Sequence, residues 1–112
     1  MKIALAQINP TVGALDRNSR KIEEIIQEHS PKCDLIVFPE MCLTGYPPQD
    51  LLMDAAFIAK TAEALEDIAD KVQGTPVILG TIRQVENRLF NTAAVLQNGK
   101  VIVYRDKTHL PT

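Results

Sequence analysis

The chain has 112 residues, 46% of them hydrophobic and 23% charged, with 12 Lys plus Arg against 14 Asp plus Glu. A net charge of −2 gives no clustered cationic footprint for nucleic acid, and 4% aromatic residues with no tryptophan give no surface for stacking bases. A chain of this length buries enough surface for one hydrophobic core and not for two, so one domain, or a piece of one, is expected.

The first residues, Met1 to Pro10, place one lysine before an apolar stretch that Gln7 and Asn9 interrupt, which is too short for a signal-peptide core. No run of about 18 apolar residues occurs, so no membrane partner is expected. Ile3 to Ile8 reads as a buried strand. Asp16 or Asn18 can cap a helix with Ile22, Ile25 and Ile26 on one face and Lys21, Glu23, Glu24 and Glu28 on the others, ending before Pro31. Leu35 to Phe38 is a second, fully apolar strand stopped by Pro39.

Glu40 to Leu52 contains Gly45, Pro47 and Pro48 and reads as a loop. After Asp54, Phe57, Ile58, Leu65, Ile68, Ala69 and Val72 mark a long helix ending near Gly74. Pro76 opens a third apolar strand, Val77 to Ile82. Two β-rich runs, Arg88 to Leu96 and Val101 to Tyr104, then flank Asn98-Gly99, a pair that tolerates the positive φ values of a tight hairpin turn.

The order β-α-β-α-β followed by a hairpin predicts an α/β fold with a mixed sheet. Strands continuous in Val, Ile and Leu are covered on both faces. Two helices do not cover both faces of five strands, so a second layer is expected, from another copy of the chain or from residues outside this sequence. A non-catalytic, flavodoxin-like interaction domain shares the β-α-β-α-β order and stays open at this point.

Functional side chains of α/β sheets collect at the carboxyl ends of strands. Glu40 stands there behind Pro39, a candidate general base. Lys107, in Tyr104-Arg105-Asp106-Lys107-Thr108-His109 at the end of the last strand, is a candidate oxyanion-stabilising charge. Cys42 lies two residues from Glu40, but a carboxylate disfavours a neighbouring thiolate, and Cys42 reads as a packed thiol. His29 fits the solvated end of the first helix, and His109 has no second ligand beside it, so no metal site is expected. Two cysteines, Cys33 and Cys42, make no disulfide framework, and with no export signal a reducing cytoplasm is the expected location. Neither a phosphate-cradling glycine motif nor a G-x-S-x-G elbow is present.

The segment D-L-I-V-F-P-E-M-C-L-T-G-Y-P-P-Q-D-L-L, Asp34 to Leu52, resembles the catalytic-glutamate segment of the carbon–nitrogen hydrolase, or nitrilase, superfamily. Its G-Y-P-P-Q-D-L-L part is similar to the glutaminase domains of glutamine-dependent NAD synthetases, the opening K-I-A-L-A-Q-I-N-P-T-V-G resembles their first strand, and Y-R-D-K-T-H-L-P their catalytic-lysine segment.

The resemblance implies a nitrilase-like αββα sandwich, of which this chain holds one mixed sheet and two helices, and a Glu-Lys-Cys triad. Glu40 matches the general base, Lys107 the residue that stabilises the tetrahedral intermediate, and Tyr46 a tyrosine lining the glutamine pocket. It implies glutamine as substrate, ATP with Mg for amidation of deamido-NAD in a separate synthetase domain, and homo-oligomers formed through sheet faces. It also implies that residues 1–112 are the N-terminal part of a glutamine amidohydrolase domain, with the nucleophilic Cys downstream of the lysine segment. The 112 residues alone are then expected to be inactive. Thr112 stands where such domains commonly carry asparagine. An amidase or nitrilase with the same glutamate and lysine motifs is the nearest alternative.

Overall fold

A computed structural model describes residues 1–110, so Thr112 lies outside the described residues. Five strands, β1 (Ile3–Leu5), β2 (Leu35–Val37), β3 (Val77–Val85), β4 (Arg88–Gln97) and β5 (Lys100–Leu110), form one sheet in the order β1-β2-β3-β4-β5. The first three are parallel; β4 runs antiparallel to both of its neighbours, β3 and β5. The connections carry α1 (Leu15–His29), a 3₁₀ turn at Ser30–Lys32, the four-residue α2 (Gln49–Leu52) and α3 (Ala55–Asp70).

The expected mixed sheet is therefore present, with shifted boundaries. β1 and β2 pair over only three residues each, so both are shorter than their apolar runs. Glu40 to Leu52 is not loop throughout: the Pro48 carbonyl accepts from the Leu51 and Leu52 amides and α2 forms. α3 ends at Asp70, short of Gly74, and its start is as expected, with the Asp54 carboxylate accepting from the Ala56 and Phe57 amides at 2.9 and 3.3 Å. Asn98 and Gly99, at φ 52° and 79°, make the expected hairpin turn. A second tight turn, with Glu86 at φ 57°, joins β3 to β4 without any glycine to announce it.

Neither Asp16 nor Asn18 caps α1: its N-cap is Ala14, with no side-chain bond. Asn18 is instead buried inside the helix, and its amide is spent on two loops. Its Oδ1 accepts from the Thr11 amide at 2.9 Å, and its Nδ2 donates to the Thr11 and Leu43 carbonyls at 2.8 and 2.9 Å.

Successive parallel strands placed side by side in one direction, with crossovers of one hand, put both helices on the same face. The core shows this: Ile22 and Ile26 of α1 and Leu65, Ile68 and Ala69 of α3 cluster with Ile36, Val77, Leu79, Ala94 and Leu96. Those strand residues share a face, since Ile36 pairs with Val77, Val77 with Leu96 and Leu79 with Ala94. On the opposite face Leu5, Val37, Ile78, Val95 and Val103 pair in turn, giving an apolar row across all five strands. Its ends, Leu5 and Val103, are 73% and 51% exposed. This row is the face on which the expected second layer would lie.

Candidate active site

Glu40 reaches its position because the chain leaving β2 crosses over β3. The Phe38 amide donates to the Ile78 carbonyl at 2.9 Å and the Leu43 amide to the Gly80 carbonyl at 3.3 Å. Between them, the backbone passes so close to Gly80 that a Cβ there would lie 2.6 Å from the Met41 nitrogen and 2.8 Å from the Glu40 Cα. Gly80 therefore makes the crossing possible. Met41, in the left-handed region at φ 50°, turns the chain back directly after the glutamate.

Lys107 arrives from three strands away. It does not sit at a strand terminus, as the sequence suggests, but inside β5, which extends to Leu110. Thr92 pairs with Asp106 and Asn91 with Thr108, so Lys107 is the extra residue of a β-bulge. A bulge re-aims a side chain out of the regular alternation. Lys107 Nζ donates to Glu40 Oε1 in a close ion pair, and the two side chains remain 46% and 43% exposed. Exposed pairs contribute little stability, typically under ~1 kcal/mol, so this contact matters through the groups it gathers.

The Tyr46 hydroxyl donates to Glu40 Oε2 at 3.2 Å. Each carboxylate oxygen of Glu40 is thus held by one donor while keeping a lone pair free. Glu40, Lys107 and Tyr46 come together as one group above the sheet, open to solvent. The bulge is buttressed from the side: Arg83 pairs with Asp106 at 3.1 Å and lies 4.1 Å over the Tyr104 ring. Burial, then the Glu66 carboxylate, pushes the Tyr104 hydroxyl up, against the opposing Arg83 charge, so it stays protonated.

Cys42 is near the site in sequence but turned away from it. It is fully buried, its Sγ donates to the Gly80 carbonyl at 3.4 Å, and burial pushes its thiol up to about 12. A thiol so placed stays protonated near neutrality and is no nucleophile. The Cys33 thiol donates to the His29 carbonyl at 3.1 Å. His109 packs on Phe90, its cross-strand partner, with ring centroids 5.6 Å apart. Among the described residues no group of three His, Cys, Asp or Glu is placed to hold a metal ion, and no helix is long and apolar enough to cross a membrane.

A groove of about 760 Å³ runs between α1 and α3 and touches none of Glu40, Tyr46 and Lys107. Its walls alternate Arg17, Arg20 and Lys60 with Asp54, Glu63 and Asp67, which reads as two solvated helix surfaces. The candidate site lies instead where the segment after β2 crosses β3 and meets the side chain from the β5 bulge. Gly80 is the site residue that sequence reasoning misses, although a glycine inside an apolar strand signals a close approach.

Residues 2–112 match the carbon–nitrogen hydrolase family. The chain is 38% identical over 119 residues to a glutamine-dependent NAD(+) synthetase of Synechocystis, covering 98% of this chain and 21% of that protein. Among solved structures, a glutamine-dependent NAD(+) synthetase from Cytophaga hutchinsonii superposes with a TM-score of 0.90 at 25% identity, over 99% of this chain and 19% of that one. The enzyme of the same name from Acinetobacter baumannii, solved with ADP, gives 0.86 at 34% identity, over 98% and 21%. The chain thus spans about a fifth of the length of the curated relatives it matches. With the αββα architecture represented here by one sheet and its helix layer, and the family match running from Lys2 onward, the chain belongs to the carbon–nitrogen hydrolase family.

Proposed function

We propose that this chain supplies the general base and the oxyanion-stabilising cation of a glutamine amidohydrolase that delivers ammonia to the ATP-dependent amidation of deamido-NAD. The observation that carries the reading is the meeting of Glu40 and Lys107, 67 positions apart in sequence, under the Tyr46 hydroxyl. Its similarity to glutamine-dependent NAD synthetases supports the choice of glutamine over another amide.

In this reading a cysteine thiolate attacks the carboxamide carbon of glutamine and forms a thioester. Glu40 removes the thiol proton and passes one to the departing ammonia, and later draws a proton from the water that hydrolyses the thioester. Lys107 carries its charge where the tetrahedral oxyanion develops. Tyr46 holds the carboxylate and lines the amide pocket. The nucleophile is neither Cys42, whose thiol is buried and protonated, nor Cys33, which donates to the His29 carbonyl. The 112 residues by themselves are expected to release no ammonia. ATP and Mg serve the amidation step, and no residue of this chain is assigned to them. Copies assemble through their sheet faces, and the free Cys33 and Cys42 suit a reducing cytoplasm.

The test compares NAD formation supported by glutamine with that supported by free ammonia, in the protein as the cell makes it. Glu40→Gln and Lys107→Ala are each expected to lower glutamine-dependent ammonia release by about 10²- to 10³-fold while leaving ammonia-supported synthesis intact. A wild-type protein that releases no ammonia from glutamine, or variants that release it undiminished, would overturn the reading.

A further inference from the structure

Asn91, on β4, is 6% exposed, and its side-chain oxygen Oδ1 is buried with no hydrogen-bond partner among the described residues. Buried acceptors are nearly always paired, so an orphan of this kind calls for a physical account. Asn91 pairs with Ile82 on β3 and with Thr108 on β5, and the bulge residue next to Thr108 is Lys107. The sheet face is set by alternation. Gly80 and Ala93 are cross-strand partners, and Asn91 lies two residues from Ala93, so its side chain leaves the sheet on the face where the Glu40 segment crosses Gly80. An unpaired amide oxygen is therefore buried on the face that carries the Glu40–Lys107 pair, one register position from the bulge that holds Lys107.

In the resting arrangement Lys107 is held by the charge of Glu40. The proposed reaction requires Glu40 to take up a proton, and the attraction that holds Lys107 fades at that step. The oxyanion forms in the same step, when the position of the ammonium matters most. An ammonium has three N–H donors, and an amide next to it offers its oxygen. We infer that Asn91 is a positioning residue for Lys107: its Oδ1 accepts a hydrogen bond from Nζ once Glu40 is protonated and keeps the cation aimed at the developing oxyanion. A neutral acceptor suits this task, since it restrains the ammonium without cancelling the charge the oxyanion needs. The inference rests on the amidohydrolase reading and extends it to a residue that reading does not use.

Glu40→Gln imitates the protonated base. In the crystal structure of that variant, Lys107 Nζ is expected about 2.9 Å from Asn91 Oδ1. Finding Nζ still on residue 40, or in solvent, overturns the inference. This measurement needs no turnover, so its failure is distinct from failure of the amidohydrolase reading, which wild-type glutamine hydrolysis decides. Kinetics of the protein as the cell makes it give a second arm. Asn91→Ala is expected to lower kcat by about 10- to 100-fold with KM kept within about threefold. Asn91→Asp, which keeps an acceptor at that point, is expected to recover about tenfold of the loss. A merely structural asparagine gives the reverse order, because aspartate buries a charge there, and Asn91→Asp falling below Asn91→Ala overturns the inference. Should either variant fail to fold, the Glu40→Gln structure decides alone.

Discussion

A methyl group at position 80 would lie 2.6 Å from the Met41 amide nitrogen and 2.8 Å from the Glu40 Cα, and neither neighbour is the movable end of a side chain. Backbone must shift, and the backbone in question carries the glutamate. Gly80→Ala is therefore expected to destabilise the fold by about 3 kcal/mol, measured by urea denaturation, and to separate Glu40 from Lys107 even where the chain still folds. A change under ~0.5 kcal/mol would show that the crossing has slack the structure does not display. The glycine is visible in the sequence, inside Val77-Ile78-Leu79-Gly80-Thr81-Ile82, but what approaches it is not, because that depends on the path of residues 38–43. Glu40 is legible as a strand-end carboxylate. Lys107 is picked out by the same strand-end logic, and the logic places it wrongly: Arg105-Asp106-Lys107-Thr108-His109 has no apolar alternation, so it reads as a terminus, yet β4 offers it a backbone partner and the strand runs on.

The segments that flank the site are clipped together by a buried amide and a backbone bond. Asn18, on α1, ties Thr11 and Leu43 together, and the Gly13 amide donates to the Thr44 carbonyl at 2.9 Å, so the segment after β1 backs the segment that ends in Tyr46. Asn18→Ala leaves the Thr11 amide and carbonyl and the Leu43 carbonyl without that partner. The expected cost is about 2–4 kcal/mol, with faster amide hydrogen exchange at Thr11 and Gly13 and little change in the interior of β4. Uniform loss of protection instead would mean that Asn18 supports the core and not the loops. Sequence periodicity finds α1 and α3 because each buries one stripe of apolar residues. It misreads Asn18 as a cap because the same side-chain chemistry serves an N-cap and a loop clip, and only tertiary position distinguishes them.

Both long helices lie on one face of the sheet, and the other face presents Leu5, Val37, Ile78, Val95 and Val103 in register. Continuous apolar strands make this requirement legible in the sequence, since a strand that is apolar on both sides needs cover on both. The site lies on that face, where the Glu40 segment crosses Gly80 and where Leu51 and Leu52 of α2 and Phe57 and Ile58 from the first turn of α3 pack with Ile82 and Leu89. Uncovered, the row is a large contiguous apolar patch of the kind that drives association. The 112-residue chain expressed alone is therefore expected to bind the dye ANS and to sediment as a concentration-dependent mixture of sizes. Leu5→Lys combined with Val103→Lys, two residues already more than half exposed, should shift it toward monomer with the melting temperature held within about 3 °C. A wild-type chain that is monomeric at all concentrations and binds no dye would mean that the row is covered by some rearrangement of the chain itself, and with it the crossing that brings Glu40 to Lys107 would have to be redrawn.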